Sequence, residues 1–236
     1  MTEAPGYNER LFKSGIRSQV HLARFAWLNR VVSLAFQDQP LRVIELGCYD
    51  GRSIDWLPAR PASYDGFDAN WEGGLDIGKA RFADFPDIQF HQCSEPAGMV
   101  PSADGYDMGI SLETMEHIPP EMVDGFLDVF AKSVKSRVFF SVPNEIGIPF
   151  LGKYLAKKLI YRDSKDEAYS LREVCAETFG QTHNVHRNEH KGFDYRVFIN
   201  QVSQKFNILQ VMGIPYAWLP VGLSFTVGIV AEPKIR

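Results

Sequence analysis

Apolar positions recur at mostly helical spacing through residues 7–36, where Leu11, Ile16, Val20, Leu22, Phe25, Leu28, Val31 and Leu34 alternate with Arg10, Lys13, Arg17 and Arg30. This spacing predicts one or two amphipathic helices. Gln37 to Pro40 breaks the period. Leu41 to Leu46 then forms a short β-branched run ending at Gly47, which reads as a buried strand entering a glycine turn. The turn is followed by a short helix over residues 52–57, stopped by Pro58 and Pro61. The same alternation continues with strands over 63–68, 88–91, 106–110 and 137–142 and helices over 71–82 and 120–134. Strands alternating with helical stretches predict a parallel sheet covered by helices on both faces.

Residues 145–191 depart from this rhythm. A basic amphipathic stretch, 150–160, precedes a polar run with three histidines, and the segment reads as an insertion over one edge of the sheet. A helix over 193–205 and strands over 206–211 and 225–231 close the chain. The loop between those two strands is too short for a helical crossover, so they are expected to pair antiparallel.

Composition narrows the partners. The 236 residues are 45% hydrophobic and 23% charged, enough apolar side chain for a substantial core, and a single domain over 1–236 is expected. The net charge of -4 offers no general attraction for nucleic acid, so a small-molecule partner is favoured. Three scattered cysteines, Cys48, Cys93 and Cys175, suggest neither a disulfide framework nor a zinc cluster. There is no signal-like amino terminus and no apolar run of roughly 18–20 residues, so a cytoplasmic location without a transmembrane segment is expected.

The informative constellation is the turn 45–51, Glu-Leu-Gly-Cys-Tyr-Asp-Gly, with Asp68 closing the second strand. The interval from Gly47 to Asp68 is about the 20 residues that separate a Rossmann-type turn from the acid on a ribose hydroxyl pair, implying a nucleoside-bearing ligand. A dinucleotide would need glycines at positions 49 and 52, where Tyr49 and Arg52 impede close approach to a pyrophosphate. S-adenosylmethionine (SAM) has no pyrophosphate and needs only one glycine against its amino acid tail and an acid on its ribose.

With these motifs the sequence resembles the class I SAM-dependent methyltransferases: 43–51 as the first motif, Gly66-Phe67-Asp68-Ala69 as the second, His91 to Ser94 after the third strand, and Tyr106 to Pro119 at the fourth. The resemblance implies a three-layer Rossmann-like fold with a mostly parallel seven-stranded sheet and an antiparallel last strand; residues 1–40 and 145–191, outside that pattern, read as a helical cap and a substrate lid. It departs at Tyr49, where the family usually has glycine, which reshapes or narrows the tail pocket.

By the same resemblance, Gly47 and Cys48 present backbone to the amino acid tail, and Glu45 orders the turn or meets the amino group. Asp68, followed by Ala69, takes the ribose hydroxyls, with capping of the next helix as its alternative role. Cys93 and Ser94 lie near the adenine, and Ser111 and Leu112 line the sulfonium side. Glu113, Glu116 and His117 are the candidate catalytic residues. His117 is a base for an acceptor hydroxyl, or else part of a Glu-His pair that orders the next helix.

His183, His186 and His190, with Asp194 nearby, match no specific zinc spacing, so a polar lid is expected there and no metal. Arg10, Lys13 and Arg17 either reach the SAM carboxylate from a helix folded over the pocket or are simply solvated. The acceptor is expected to be a small molecule, anionic or lipid-linked forms included. A sugar, natural-product or quinone-type oxygen leads nitrogen and carbon. The rival readings are a nucleotide-dependent oxidoreductase and a non-catalytic module retaining the fold.

Overall fold

The computed structural model describes residues 16–160, 169–188 and 190–234. Seven strands form one sheet: β1 (Arg42–Leu46), β2 (Ser63–Asp68), β3 (Ile88–Gln92), β4 (Tyr106–Leu112), β5 (Val134–Pro143), β6 (Phe206–Ile214) and β7 (Thr226–Pro233). Their order is β3-β2-β1-β4-β5-β7-β6. The first five pair in parallel, and β7 runs antiparallel to both β5 and β6. The short connection between the last two strands therefore produces the antiparallel pair expected of it.

Several strands are longer than their apolar runs. β4 extends two residues beyond the predicted Ile110, so Ser111 and Leu112 belong to the strand, and β5 starts at Val134 as soon as the preceding helix ends.

Each face of the sheet carries its own apolar layer. On one face, α1 (Ile16–Phe36) contributes Phe25, Trp27, Leu28, Val31 and Val32, and α2 (Gly74–Arg81) contributes Leu75. On the other, α3 (Pro120–Ser133) contributes Phe126, Leu127 and Phe130, and α6 (Tyr195–Lys205) contributes Phe198 and Val202. Alternate residues of a strand face opposite sides, so Ile44 and Leu46 of β1 enter one layer and Val43 the other. The described part of the amino-terminal segment is thus a helix laid on the sheet. Trp27 sits over Gly228 of β7, where a Cβ would come within 2.6 Å of its ring, and the indole N–H donates to Met212 Sδ of β6 at 2.9 Å.

Residues 145–191 hold α4 (Gly147–Ile160) and α5 (Leu171–Thr178), which pack on each other. α5 starts with a reciprocal cap between Ser170 and Glu173. On α4, Phe150 is buried beside Tyr154 and Tyr169, whereas Ile148, Leu155 and Leu159 are exposed. Asn144, just after β5 and fully buried, donates to the Val221, Gly222 and Ser224 carbonyls, tying the β6–β7 loop to the end of β5. No helix among the described residues is long and apolar enough to cross a membrane.

Candidate functional site

In an open parallel sheet the ligand crevice lies at the carboxyl ends of the strands, where the direction of winding reverses. Here the chain winds outward from β1 through β2 to β3 and then returns to β4 on the other side of β1, so the reversal lies between β1 and β4. The turn 47–51 leaves β1 at this point, and residues 113–117 leave β4 beside it.

Gly47 has φ +78°, and its missing side chain is filled by Thr114: a Cβ there would lie 2.0 Å from Thr114 Oγ1. The Gly47 and Cys48 N–H groups both donate to the Phe67 carbonyl, fastening the turn to β2. Tyr49 adopts φ +49°, the left-handed conformation that glycine enters most easily. Its ring lies against Gly74, where a Cβ would come within 2.4 Å of it. A tyrosine thus replaces the usual glycine without changing the turn's handedness, and a glycine at the start of α2 makes room for its ring.

Asp68 stands across from the turn. Its Oδ2 accepts the Tyr49 N–H at 3.0 Å and its Oδ1 the Asn70 N–H at 2.7 Å. Each carboxylate oxygen has lone-pair capacity for a further donor. Ala69 follows, half-buried. The Cys93 N–H bonds the Asp68 carbonyl at 2.8 Å, which brings the end of β3 to the end of β2. Cys93 itself is buried, its thiol donating to the Glu95 carbonyl, while Ser94 is exposed. Cys48 is buried against Gly66, and that burial pushes its thiol well above the usual range, so neither buried cysteine is poised as a nucleophile.

Glu45 lies beneath the turn, 3% exposed, and accepts hydrogen bonds from the Ser53 hydroxyl and, at 2.6 Å, the Tyr64 hydroxyl. These bonds tie β1, the 3-10 turn over Arg52–Trp56 and β2 together, so Glu45 orders the turn. Burial raises its carboxyl from 4.5 to about 7, outweighing the two hydroxyl donors.

The native state therefore holds a proton between those pH values that the unfolded chain has released. The associated stability is fully present below 4.5 and is lost as pH rises through about 7. A shift of this size corresponds to about 3 kcal/mol. Glu45→Gln keeps an acceptor and removes the charge. Urea denaturation on either side of this window should show a smaller loss of stability with rising pH in the variant, and parallel profiles would show that Glu45 is not the titrating group.

The segment after β4 collects the other polar groups. Glu113 has φ +52° and donates its N–H to the Ser141 carbonyl. Glu116 is 1% exposed, and His117 lies at the surface of the cluster with Nε2 3.8 Å from Glu116 Oε1. Burial raises both glutamates. Arg24 and Lys153 moderate the shift at Glu113, whereas the neighbouring Glu113 adds to the shift at Glu116. Ser111 is fully buried in β4 and Leu112 belongs to the apolar layer that also contains Phe25 and Trp27.

The insertion reaches this cluster. His190 packs edge-on against His117, ring centroids 4.5 Å apart, and burial pushes its imidazole down to about 3. Arg187 donates to the Glu116 carbonyl at 2.9 Å, and Lys153 pairs with Glu145 at 2.9 Å.

The predicted histidine trio does not converge. His183 is exposed beside Asn184, His186 is exposed, and Asp194 caps α6 and binds Arg196. Arg10 and Lys13 lie outside the described residues, as does the Arg17 side chain. Sequence reasoning missed Thr114, Ser53, Tyr64, Arg24, Glu145 and the meeting of His190 with His117. For Ser53 the spacing of eight residues from Glu45 was the available signal, while the others depend on long-range packing.

Sheet order, switch point and glycine turn with a facing acid define a class I nucleotide-binding α/β protein of the methyltransferase type. A family model described as "Methyltransferase domain" (Methyltransf_23) matches residues 17–192, and the chain belongs to that family. It is a SAM-dependent methyltransferase. Among solved structures, a S-adenosylmethionine-dependent methyltransferase from Clostridium acetobutylicum ATCC 824 superposes with TM-score 0.62 at 10% identity, covering 96% of this chain and 98% of that one. Magnesium protoporphyrin IX methyltransferase from Synechocystis PCC 6803, with bound SAH, gives TM-score 0.56 at 15% identity, covering 96% and 92%. The N-methyltransferase NodS from Bradyrhizobium japonicum WM9, in complex with S-adenosyl-l-homocysteine, gives 0.57 at 9%, covering 96% and 91%. These likenesses are of fold. Comparison with curated protein sequences finds no match.

Proposed function

We propose that this enzyme moves the methyl group of SAM to an oxygen of a small-molecule acceptor held between α1 and residues 145–191. The observation that carries this reading is the contact of Thr114 with Gly47, which joins the polar segment 113–117 to the glycine turn at the β1/β4 switch point. The SAM tail would lie on the Gly47 and Cys48 backbone above Glu45, and its ribose on Asp68 and Ala69. The adenine would lie by Cys93 and Ser94, and the sulfonium near Ser111 and Leu112. That arrangement points the methyl group toward Glu113, Glu116 and His117. Alignment of an acceptor lone pair behind the methyl carbon supplies much of the rate. His117, partly exposed and bordered by Glu116, takes the hydroxyl proton.

Two of the similar structures are named for methyl transfer to small molecules or to nitrogen, which is compatible with a small acceptor here. Calorimetry with SAM, S-adenosylhomocysteine and NAD tests the cofactor assignment: the first two are expected to bind and NAD to give no heat. Binding of NAD alone would return the oxidoreductase reading. Radiolabelled SAM with a panel of hydroxylated acceptors then tests transfer, and SAM binding without transfer to any of them would favour a non-catalytic module. Once an acceptor is found, His117→Gln should lower kcat about a hundredfold, within the usual range for a general base, with SAM affinity unchanged.

A further inference from the structure

We propose that Glu116, His117 and His190 form a binding site for a divalent transition-metal ion on the acceptor side of the crevice. One potential ligand atom from each of these three residues lies within 4.8 Å of the others. Glu116 is 1% exposed, yet neither of its carboxylate oxygens accepts a hydrogen bond, and His190 Nδ1, covered from solvent, has no hydrogen-bond partner, with Glu145 Oε1 3.9 Å away. Buried polar atoms are normally satisfied, and a buried carboxylate without donors is costly unless a proton neutralises it or a cation compensates it.

Arg24 and Arg187 act on the Glu116 carboxylate electrostatically, yet no cation among the described residues hydrogen-bonds it. Arg187 spends its hydrogen bond on the Glu116 main-chain carbonyl, and Lys153 is engaged by Glu145. His117 Nε2, at 3.8 Å, is beyond hydrogen-bond distance from Glu116 Oε1. An ion between these groups would satisfy Glu116 and take one ring nitrogen from each histidine. Glu113 and Glu145 also stand close enough to act on Glu116 electrostatically, with Arg24 opposing them.

One carboxylate and two imidazoles make a mixed oxygen and nitrogen set. Such sets suit manganese, iron, cobalt or zinc, whereas magnesium and calcium prefer oxygen alone. Three protein ligands leave at least one coordination position for an outside oxygen, the arrangement of catalytic rather than structural metal sites.

The ion's use rests on the methyl-transfer reading, although its binding does not. With the ion bound His117 is a ligand, so the base role it has in the metal-free site passes to Glu113 or water, to which an acceptor hydroxyl on the open position would lose its proton more easily. The oxygen lone pair then forms the C–O bond as the methyl C–S bond breaks. The bonding pair goes to sulfur and leaves S-adenosylhomocysteine. The site differs from the sequence-predicted histidine run: only His190 of that run takes part, and residues from the end of β4 supply the rest.

The test uses the full chain, freed of metal by chelator and titrated without SAM. Co2+ and Mn2+ should each bind at one equivalent by calorimetry, with Co2+ developing the visible absorption of an imidazole-bound ion and Mg2+ binding at least tenfold more weakly. His190→Ala and Glu116→Gln should weaken Co2+ by at least tenfold, while His183→Ala and His186→Ala leave it unchanged. SAM binding, measured on every variant, reports whether the fold survives. If Glu116→Gln fails that check, His190→Ala, which changes a less buried residue, decides. Absence of Co2+ and Mn2+ binding, equal affinity for Mg2+, or a His190→Ala variant with unchanged Co2+ affinity would overturn the site. Metal binding with no methyl transfer would leave the site standing and count against the functional reading alone.

Discussion

Asp68→Ala is expected to weaken SAM binding by on the order of a hundredfold. Hydrogen bonds to a charged group contribute about 1.5–3 kcal/mol each, and a ribose offers two hydroxyl donors to one carboxylate. Loss of about 3 kcal/mol corresponds to roughly a hundredfold in dissociation constant. Asp68 already accepts the Tyr49 and Asn70 N–H groups, so alanine also frees two backbone donors beside the pocket. Asp68→Asn separates these contributions. Its single carbonyl oxygen preserves part of the turn while removing the charge, and an intermediate loss of about tenfold is expected. Calorimetry with SAM measures the affinities, and thermal denaturation without ligand measures damage to the turn. An Asp68→Ala variant that binds SAM as tightly as the wild type would remove Asp68 from the cofactor site.

Local sequence carried the parallel strands because each is a short apolar run bounded by turn residues, as Val43 to Leu46 is by Pro40 and Gly47. The antiparallel end was legible for a different reason: the length of the last loop forbids a crossover. Tyr49 marks the limit of motif reading. In the sequence it is only a lost glycine, but in the fold its left-handed backbone and the space at Gly74 form one device, and Gly74 lies on a different element.

The histidines show the converse. Their proximity in sequence grouped His183, His186 and His190, whereas the 3-10 turn over Thr182–Asn184 and the bridge between Asn188 and Lys191 separate the first two from the third. The partner of His190 is His117, and nothing near either residue in the chain announces that contact, because it depends on where the insertion settles over the ends of β4 and β5. Glu45 lies between these cases. Its carboxyl was visible as a turn residue, but its anchoring by both Ser53 and Tyr64 required the register that sets β1 against β2.

Gly47→Ala should destabilise the protein by about 2–5 kcal/mol and weaken SAM binding more than tenfold. The first contribution is backbone strain: φ is +78°, and an alanine forced into the left-handed region loses roughly 1–2 kcal/mol. The second is overlap. The new Cβ would lie 2.0 Å from Thr114 Oγ1 and 2.5 Å from Cγ2, and overpacking of this kind costs about 1–3 kcal/mol. Thr114 cannot simply swing away, because its hydroxyl donates to the Leu112 carbonyl at 3.2 Å and its backbone begins the turn leading to Glu116 and His117. Relief of the clash therefore moves either the cofactor turn or the acceptor segment.

The two contributions separate in a double-mutant cycle. Thr114→Gly added to Gly47→Ala removes the overlap but not the strain, so it should restore about 1–2 kcal/mol in urea denaturation, while costing stability in the wild-type background. If Thr114→Gly has the same effect in both backgrounds, Gly47 and Thr114 are not coupled. The turn and the segment after β4 would then be independent of one another, and the contact that places the acceptor groups beside the cofactor would lose its support.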